Sequence, residues 1–305
     1  MGPLRKVVER LILATFLVGC ASTHEADRAG AAGNGGAAGQ TGGAGDSNDS
    51  GAAGESSSGA GGATEIGSAG SAGASADGEA GTTGRHALFN GFDFSGWDRY
   101  LGKPSAAEPA LGVDHDPRAV YSVVMVDSEP AIRISGEVWG SLISQREFCS
   151  FRLWAQFKWG SAVWPPLNFQ DSGIMFLSTG PLGAVNAGGS ALSDPIGSGG
   201  FLVSAEYQIA AGDVGSLYNL GPIAFTQSLK SAGEEKAPGE WNDVEISLQA
   251  DVVSLILNGH EVSRGSGFVL DWPNEAASAL RCGKLQLQSE GAEIFFRRVE
   301  IEELP

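Results

Sequence analysis

The chain has 305 residues, 42% of them hydrophobic and 18% charged, with a formal net charge of -17. So acidic a chain repels phosphate backbones, which argues against a nucleic-acid binder. Its 46 glycines exceed the ~7% usual for a folded domain, so low-complexity sequence must be concentrated somewhere.

Residues 1–19 read as an export signal. Arg5, Lys6 and Arg10, diluted by Glu9, precede the apolar run Leu11–Gly19. That run is shorter than the ~20 residues that span a bilayer and has the length of a signal-peptide apolar core. It ends in Leu17-Val18-Gly19-Cys20, which resembles the bacterial lipobox, whose cysteine is acylated and becomes the mature N-terminus. An ordinary signal peptide with an incidental cysteine is the alternative. Acylation at Cys20 implies a membrane anchor in the cell envelope. Ala21-Ser22 carries no Asp retention signal, so the outer membrane or cell surface is expected over the inner membrane.

Residues 20–84 read as a disordered tether. Of the 64 residues 21–84, 45 are Gly, Ala or Ser, Ile66 is the one large aliphatic, and no aromatic occurs. Nothing there can bury apolar area to offset chain entropy. As a flexible coil it spans roughly 40–48 Å.

Residues 85–305 read as one all-β domain. Tyr121–Val126 and Ala131–Ser135 flank a hairpin turn at Asp127–Pro130. Phe151, Leu153, Ala155, Phe157 and Trp159 alternate along one strand face. Val244, Ile246 and Leu248 alternate with polar residues, and Asn258-Gly259 after Val253–Leu257 is a strong type I′ turn signal. Leu285 and Leu287 alternate with Gln286 and Gln288, and Ser289-Glu290-Gly291 turns the chain into Glu293–Leu304. Only Asn274–Leu280 has the pattern of a short helix. Many short strands predict two packed antiparallel sheets. Long loops near 160–170, 179–200 and 228–240 are where binding chemistry is expected. Cys149 and Cys282 are candidates for a disulfide in an oxidising compartment, two buried thiols being the alternative.

Common catalytic signatures are missing: no G-x-S-x-G, H-E-x-x-H, C-x-x-C or P-loop occurs. No nucleotide cofactor is therefore expected. No strand carries the clustered E-x-D-x-E of sandwich glycosidases, which argues against ordinary two-carboxylate hydrolysis. Asp114-His115-Asp116 is either a metal loop or an acidic surface turn, and His260 reads as a solvated hairpin residue.

Eight segments carry a resemblance when read in order: ALFNGFDFSGWDRYL (87–101), IRISGEVWGSLISQREF (132–148), FRLWAQFKWG (151–160), DSGIMFLSTGP (171–181), SAEYQIAAGDVGSLY (204–218), GEWNDVEI (239–246), LILNGHEV (255–262) and GKLQLQSEGAEIFFRRVEI (283–301). Together they resemble the 3-keto-disaccharide hydrolase-like domain family. The resemblance implies a concanavalin-like jelly-roll β-sandwich with a sugar site on one sheet. It also implies activity on glycosides already oxidised to a ketone at C3, and a separate oxidoreductase that makes the ketone. A non-catalytic glycan-binding lipoprotein on the same fold is the alternative.

Within that resemblance Glu206, in AEYQI, is the first choice as base or metal ligand. Gln208 lies two residues on and shares its strand face. Asp171, opening DSGI, is catalytic or a turn cap. Gln288 and Glu290, in LQSEG, are candidates for sugar contacts. Trp97, Trp159 and Trp241 either stack on sugar rings or pack in the core, and Arg133 points into the groove or out to solvent. A divalent metal is left open, with Glu206 its first ligand. One departure stands out: Leu177 occupies a position where relatives carry His or Arg, and Gln170 one where they are often basic. If those groups stabilise an enolate, this chain would be slow or inactive.

Overall fold

The computed structural model describes residues 84–186, 199–231, 234–272 and 274–305. The export signal, Cys20 and all but the last residue of the tether lie outside the described residues.

Strands run in chain order as β1 His86–Ala87, β2 Trp97–Leu101, β3 Gly112–Val113, β4 Tyr121–Val126, β5 Glu129–Ile134, β6 Gly140–Phe148, β7 Phe151–Val163, β8 Asp171–Thr179 and β9 Val203–Ala210. They continue as β10 Leu217–Leu220, β11 Ile223–Lys230, β12 Asn242–Gln249, β13 Val252–Leu257, β14 His260–Leu270, β15 Ser278–Ala279, β16 Gly283–Ser289 and β17 Ala292–Glu303. The larger sheet has the order β11-β14-β13-β12-β7-β17-β5-β4, with β1 on β17 and β15 on β14. The smaller sheet has the order β10-β9-β8-β16-β6-β2-β3. Every named pair is antiparallel. The chain is a concanavalin-like jelly roll of two packed sheets.

The sandwich forms because alternation puts one face of each strand inside. Val244, Ile246 and Leu248 of β12 are buried, as are Phe151, Leu153, Ala155 and Phe157 of β7. From the smaller sheet come Ile174, Phe176, Tyr207 and Ile209. Each fully buried side chain of this size contributes roughly 1.5–3 kcal/mol of transfer free energy.

The turns follow their residues. Asp127-Ser128 and Asn258-Gly259 both hold positive φ at their two central positions, the geometry of a type I′ hairpin turn. Asp116 accepts bonds from the Val120 and Tyr121 amides at 2.9 Å each, so the acidic loop around His115 is a structural turn. The helix expected over Asn274–Leu280 is absent. Asn274 sits at φ 69°, Ser278–Ala279 pairs with β14, and the Leu280 amide donates to the Phe268 carbonyl at 2.9 Å. The edge of the larger sheet satisfies this backbone better than a two-turn helix would.

Cys149, at the corner between β6 and β7, is joined to Cys282 before β16 by a disulfide with an S–S distance of 2.04 Å. Gly283 pairs with Phe148 at that end of the sheet, and Ser289 with Gly140 at the other. The bond therefore closes the end of the sandwich opposite Glu290.

Candidate active site

Parity along β9 divides its side chains between two worlds. Ala205, Tyr207 and Ile209 enter the core. Glu206 and Gln208 therefore face outward from the smaller sheet, with Met175 and Gly173 of β8 as their register partners. Gly173 leaves the space that the acid occupies: a Cβ built there would lie 2.2 Å from Glu206 Oε1. Asp171 lies two residues earlier on the same face of β8 and approaches Glu206 closely enough to raise its pKa. From β16 the Gln288 amide bonds to Glu206. Glu290 follows in the turn into β17 and is buried.

The structure thus brings Asp171, Glu206, Gln208, Gln288 and Glu290 to one face and one end of the smaller sheet. Three of their oxygens, Asp171 Oδ1, Glu206 Oε1 and Gln288 Oε1, are sealed from solvent with no hydrogen-bond partner. An ionised carboxylate in that setting is costly, and neighbouring carboxylates cannot all carry charge. Burial raises Asp171 to about 8, Asp213 adds to the rise, and the Ser172 amide partly offsets it. Burial also pushes Glu206 well above the carboxylate range, with Asp171 and Asp213 adding and Gln288 opposing. Glu290 rises through burial and then through Asp171 and Glu206. This is a set of carboxylic acids that keep protons near neutral pH.

Two further residues belong to this group. Tyr218 of β10 is the register partner of Glu206, and its hydroxyl donates to Asp213 Oδ2 at 2.7 Å. Ser216 also donates to Asp213. Burial, then the bond to Asp213, raises the Tyr218 phenol. Asp213 sits in the turn between β9 and β10, seven residues after Glu206. The sequence AAGDVGS marks the turn and gives no sign that it folds back toward the acids.

Other expected contacts lie elsewhere. Arg133 points outward from the larger sheet and pairs with Glu293 at 2.6 Å. Trp97 is buried and donates to the Leu88 carbonyl at 2.8 Å. Trp159 packs edge-on against Phe157 at 5.8 Å and donates to Glu235. Trp241 is on the larger sheet, donating to Asp127 and covered by Arg297 at 4.1 Å. None of the four is brought to the carboxyl cluster, because each satisfies its polar atoms within the sandwich.

Leu177 also differs from expectation. It occupies a bulge in β8 where the pairing with β9 slips between Phe176 and Thr179. Its φ is 52°, and its side chain belongs to the hydrophobic core. The bulge breaks the alternation at this point, and β8 offers no cation there. Beyond it, Ser178 and Ser204 share a 2.9 Å bond, and Gln286 donates to both.

Among the described residues, no three His, Cys, Asp or Glu side chains are placed to hold a metal ion. The orphaned oxygens around Asp171 and Glu206 fit protons or a donor from a ligand.

Residues 84–302 match the family model of the 3-keto-alpha-glucoside-1,2-lyase-like domain. The chain belongs to this family. A comparison with curated proteins returned no match. Among solved structures, a Parabacteroides distasonis protein provisionally described as a glycosyl hydrolase is 19% identical, with 73% of this chain and 94% of that one covered and a TM-score of 0.47. A Bacillus subtilis protein described by its galectin-like fold is 11% identical, covering 74% and 97%, with a TM-score of 0.41. A Bacillus licheniformis β-glucanase is 10% identical, covering 74% and 100%, with a TM-score of 0.38. Membership makes this 3-keto-α-glucoside-1,2-lyase-like domain a carbohydrate-active one, and its buried acids are carried by β8, β9 and the end of β16.

Proposed function

We propose that the protein is a lyase and hydratase acting on 3-keto glycosides, with net hydrolysis as the outcome. The observation that carries this reading is the buried carboxyl cluster, in which one member titrates near neutral pH while its neighbours hold their protons. A ketone at C3 acidifies the C2 proton, because the resulting carbanion is an enolate. Asp171, raised to about 8, has the strength of a base suited to working near neutral pH. It takes the C2 proton, and the electron pair passes into the C3 oxygen. The enolate then collapses to a C1–C2 double bond as the C1–O bond breaks. The C3 carbonyl re-forms, and the leaving oxygen departs with the C1–O bonding pair and takes a proton from Glu206, whose burial keeps it protonated. Water then adds at C1 and a proton returns to C2, giving the free 3-keto sugar. Gln208, Gln288, Glu290 and Tyr218 line the same face and supply donors to sugar hydroxyls.

A non-catalytic glycan-binding protein is the second reading, favoured by Leu177, which leaves no cation at that position of β8. The anchor at Cys20 and the tether remain part of the proposal, placing the domain off an envelope membrane. So does a separate oxidoreductase supplying the 3-keto substrate.

The test is release of a chromogenic leaving group from a 3-keto-glucoside by the full chain. Turnover is expected to rise with pH through 8 and level off above it, because Asp171 must lose its proton to act. A rate that falls from pH 6 to 8, or no release at all, would sink the reading.

A further inference from the structure

Of the seven tryptophans, Trp164 is the most exposed, at 37%. It follows β7 and opens the loop that leads into Asp171. Its place is fixed at two points. The Trp164 amide donates to the Gly291 carbonyl at 2.6 Å, and its indole Nε1 donates to the Ser135 carbonyl at 2.9 Å. Gly291 is the residue after Glu290. Adding one Cα–Cα step to one antiparallel pair spacing puts the Trp164 backbone within about 9 Å of that of Glu290.

What distinguishes this ring is its exposure together with the absence of a stacked partner among the described residues. Arg85 covers Trp154 at 4.2 Å and Arg297 covers Trp241 at 4.1 Å. Trp159 packs on Phe157, and Trp97 is buried. No aromatic ring or cation among the described residues covers Trp164. Its N–H is already satisfied, so only apolar ring surface remains on offer. Val163 beside it is 39% exposed, which extends that surface. An indole held by a hydrogen bond loses little further freedom when a ligand lands on it.

We propose that Trp164 is the stacking platform for the aglycone ring of the substrate, and that it sets a preference for glycosides with a second sugar or an aryl group. The proposal rests on the lyase reading for one step: the reacting C1, C2 and C3 must sit at the buried acids. The ring one unit outward then falls at the rim, where Trp164 stands. A pyranose presents a face of C–H bonds and an aryl group a π-face, and either can lie flat on an indole. A methyl aglycone would not reach it.

The experiment compares the full chain with Trp164→Ala, Trp164→Phe and Phe92→Ala. Phe92 is 86% exposed and serves as the control for loss of an exposed apolar side chain. Two substrates are used, 3-keto methyl glucoside and a 3-keto disaccharide. The expected result is KM for the disaccharide about 10-fold higher in Trp164→Ala, a change that 1.4 kcal/mol of lost contact produces. The kcat for the disaccharide and both constants for the methyl glucoside should stay as in wild type. Trp164→Phe should recover part of the loss, and Phe92→Ala should change nothing. Equal changes for both substrates, or none for either, overturn the assignment. If the wild type turns over neither substrate, the lyase reading has failed, and stacking is read separately by titrating wild type and variants with the 3-keto disaccharide. A saturable fluorescence change that Trp164→Phe removes supports the platform; a change that persists in Trp164→Phe, or none in wild type, overturns it.

Discussion

The outward faces of the two sheets treat the same side chain in opposite ways. On the larger sheet most outward carboxylates meet a cation. Lys158 reaches Asp127 at 2.8 Å, Arg298 reaches Glu129 at 2.6 Å, and Arg133 reaches Glu293 at 2.6 Å. Asp127 is held below the usual range by its bond from Lys158, and Glu129 by its bond from Arg298. Burial pushes Glu293 up, but Arg133 and the Ser161 amide outweigh it. On the smaller sheet Asp171, Glu206 and Glu290 meet one another and no cation, and all three rise. Burial without a cation, and not the residue type, decides whether a carboxyl is a fixed charge or a proton store. Pairing gives a stable surface. Its withholding gives chemistry.

The sharpest break of that contrast is Glu206→Gln. It keeps the volume and removes the titrating proton, so turnover should fall about 10²–10⁴-fold while circular dichroism and melting stay native. A variant with undiminished turnover would show that the cluster's most buried acid is idle.

Asp171→Asn tests the cost of withholding the cation. The folded pKa of Asp171 lies near 8 against an ordinary 3.8, so the fold favours the protonated form. Its stability contribution is full below the ordinary value and is lost as pH rises toward 8. The neutral amide escapes that loss. Asp171→Asn should therefore be more stable than wild type at pH 8, on the order of a few kcal/mol, and equal to it near pH 4. Urea unfolding at the two pH values measures the difference. The same variant should lose the rise in activity toward pH 8.

Glu129→Gln probes the other sheet and has the smallest effect. Exposed ion pairs contribute little to stability, so melting and turnover should match wild type. A large loss of activity would mean that the charged face takes part in function.

Much of this was legible in the strands. The alternation in β12, the Asn258-Gly259 turn and the shared parity of Glu206 and Gln208 follow from local rules that the structure obeys. What was hidden depended on events that change parity or join distant segments. The bulge at Leu177 turns one side chain inward, and no residue at that point announces it. Asp213 reaches the acids through a glycine-containing turn, and Tyr218 through strand register. Trp97, Trp159 and Trp241 resemble sugar platforms in composition, yet Trp159 and Trp241 have partners, Glu235 and Asp127, far away in sequence, and Trp97 bonds back to Leu88. Trp164 lies in a loop with no periodicity to mark it.

Gly173 gives the site a history as well as a shape. A methyl group there would sit 2.2 Å from Glu206 Oε1 and 3.0 Å from its Cδ, so the side chain could not keep its place. In the genetic code every glycine codon is a single base change from an alanine codon. The lineage therefore stands one mutation from a chain in which a methyl group and Glu206 contend for the same space.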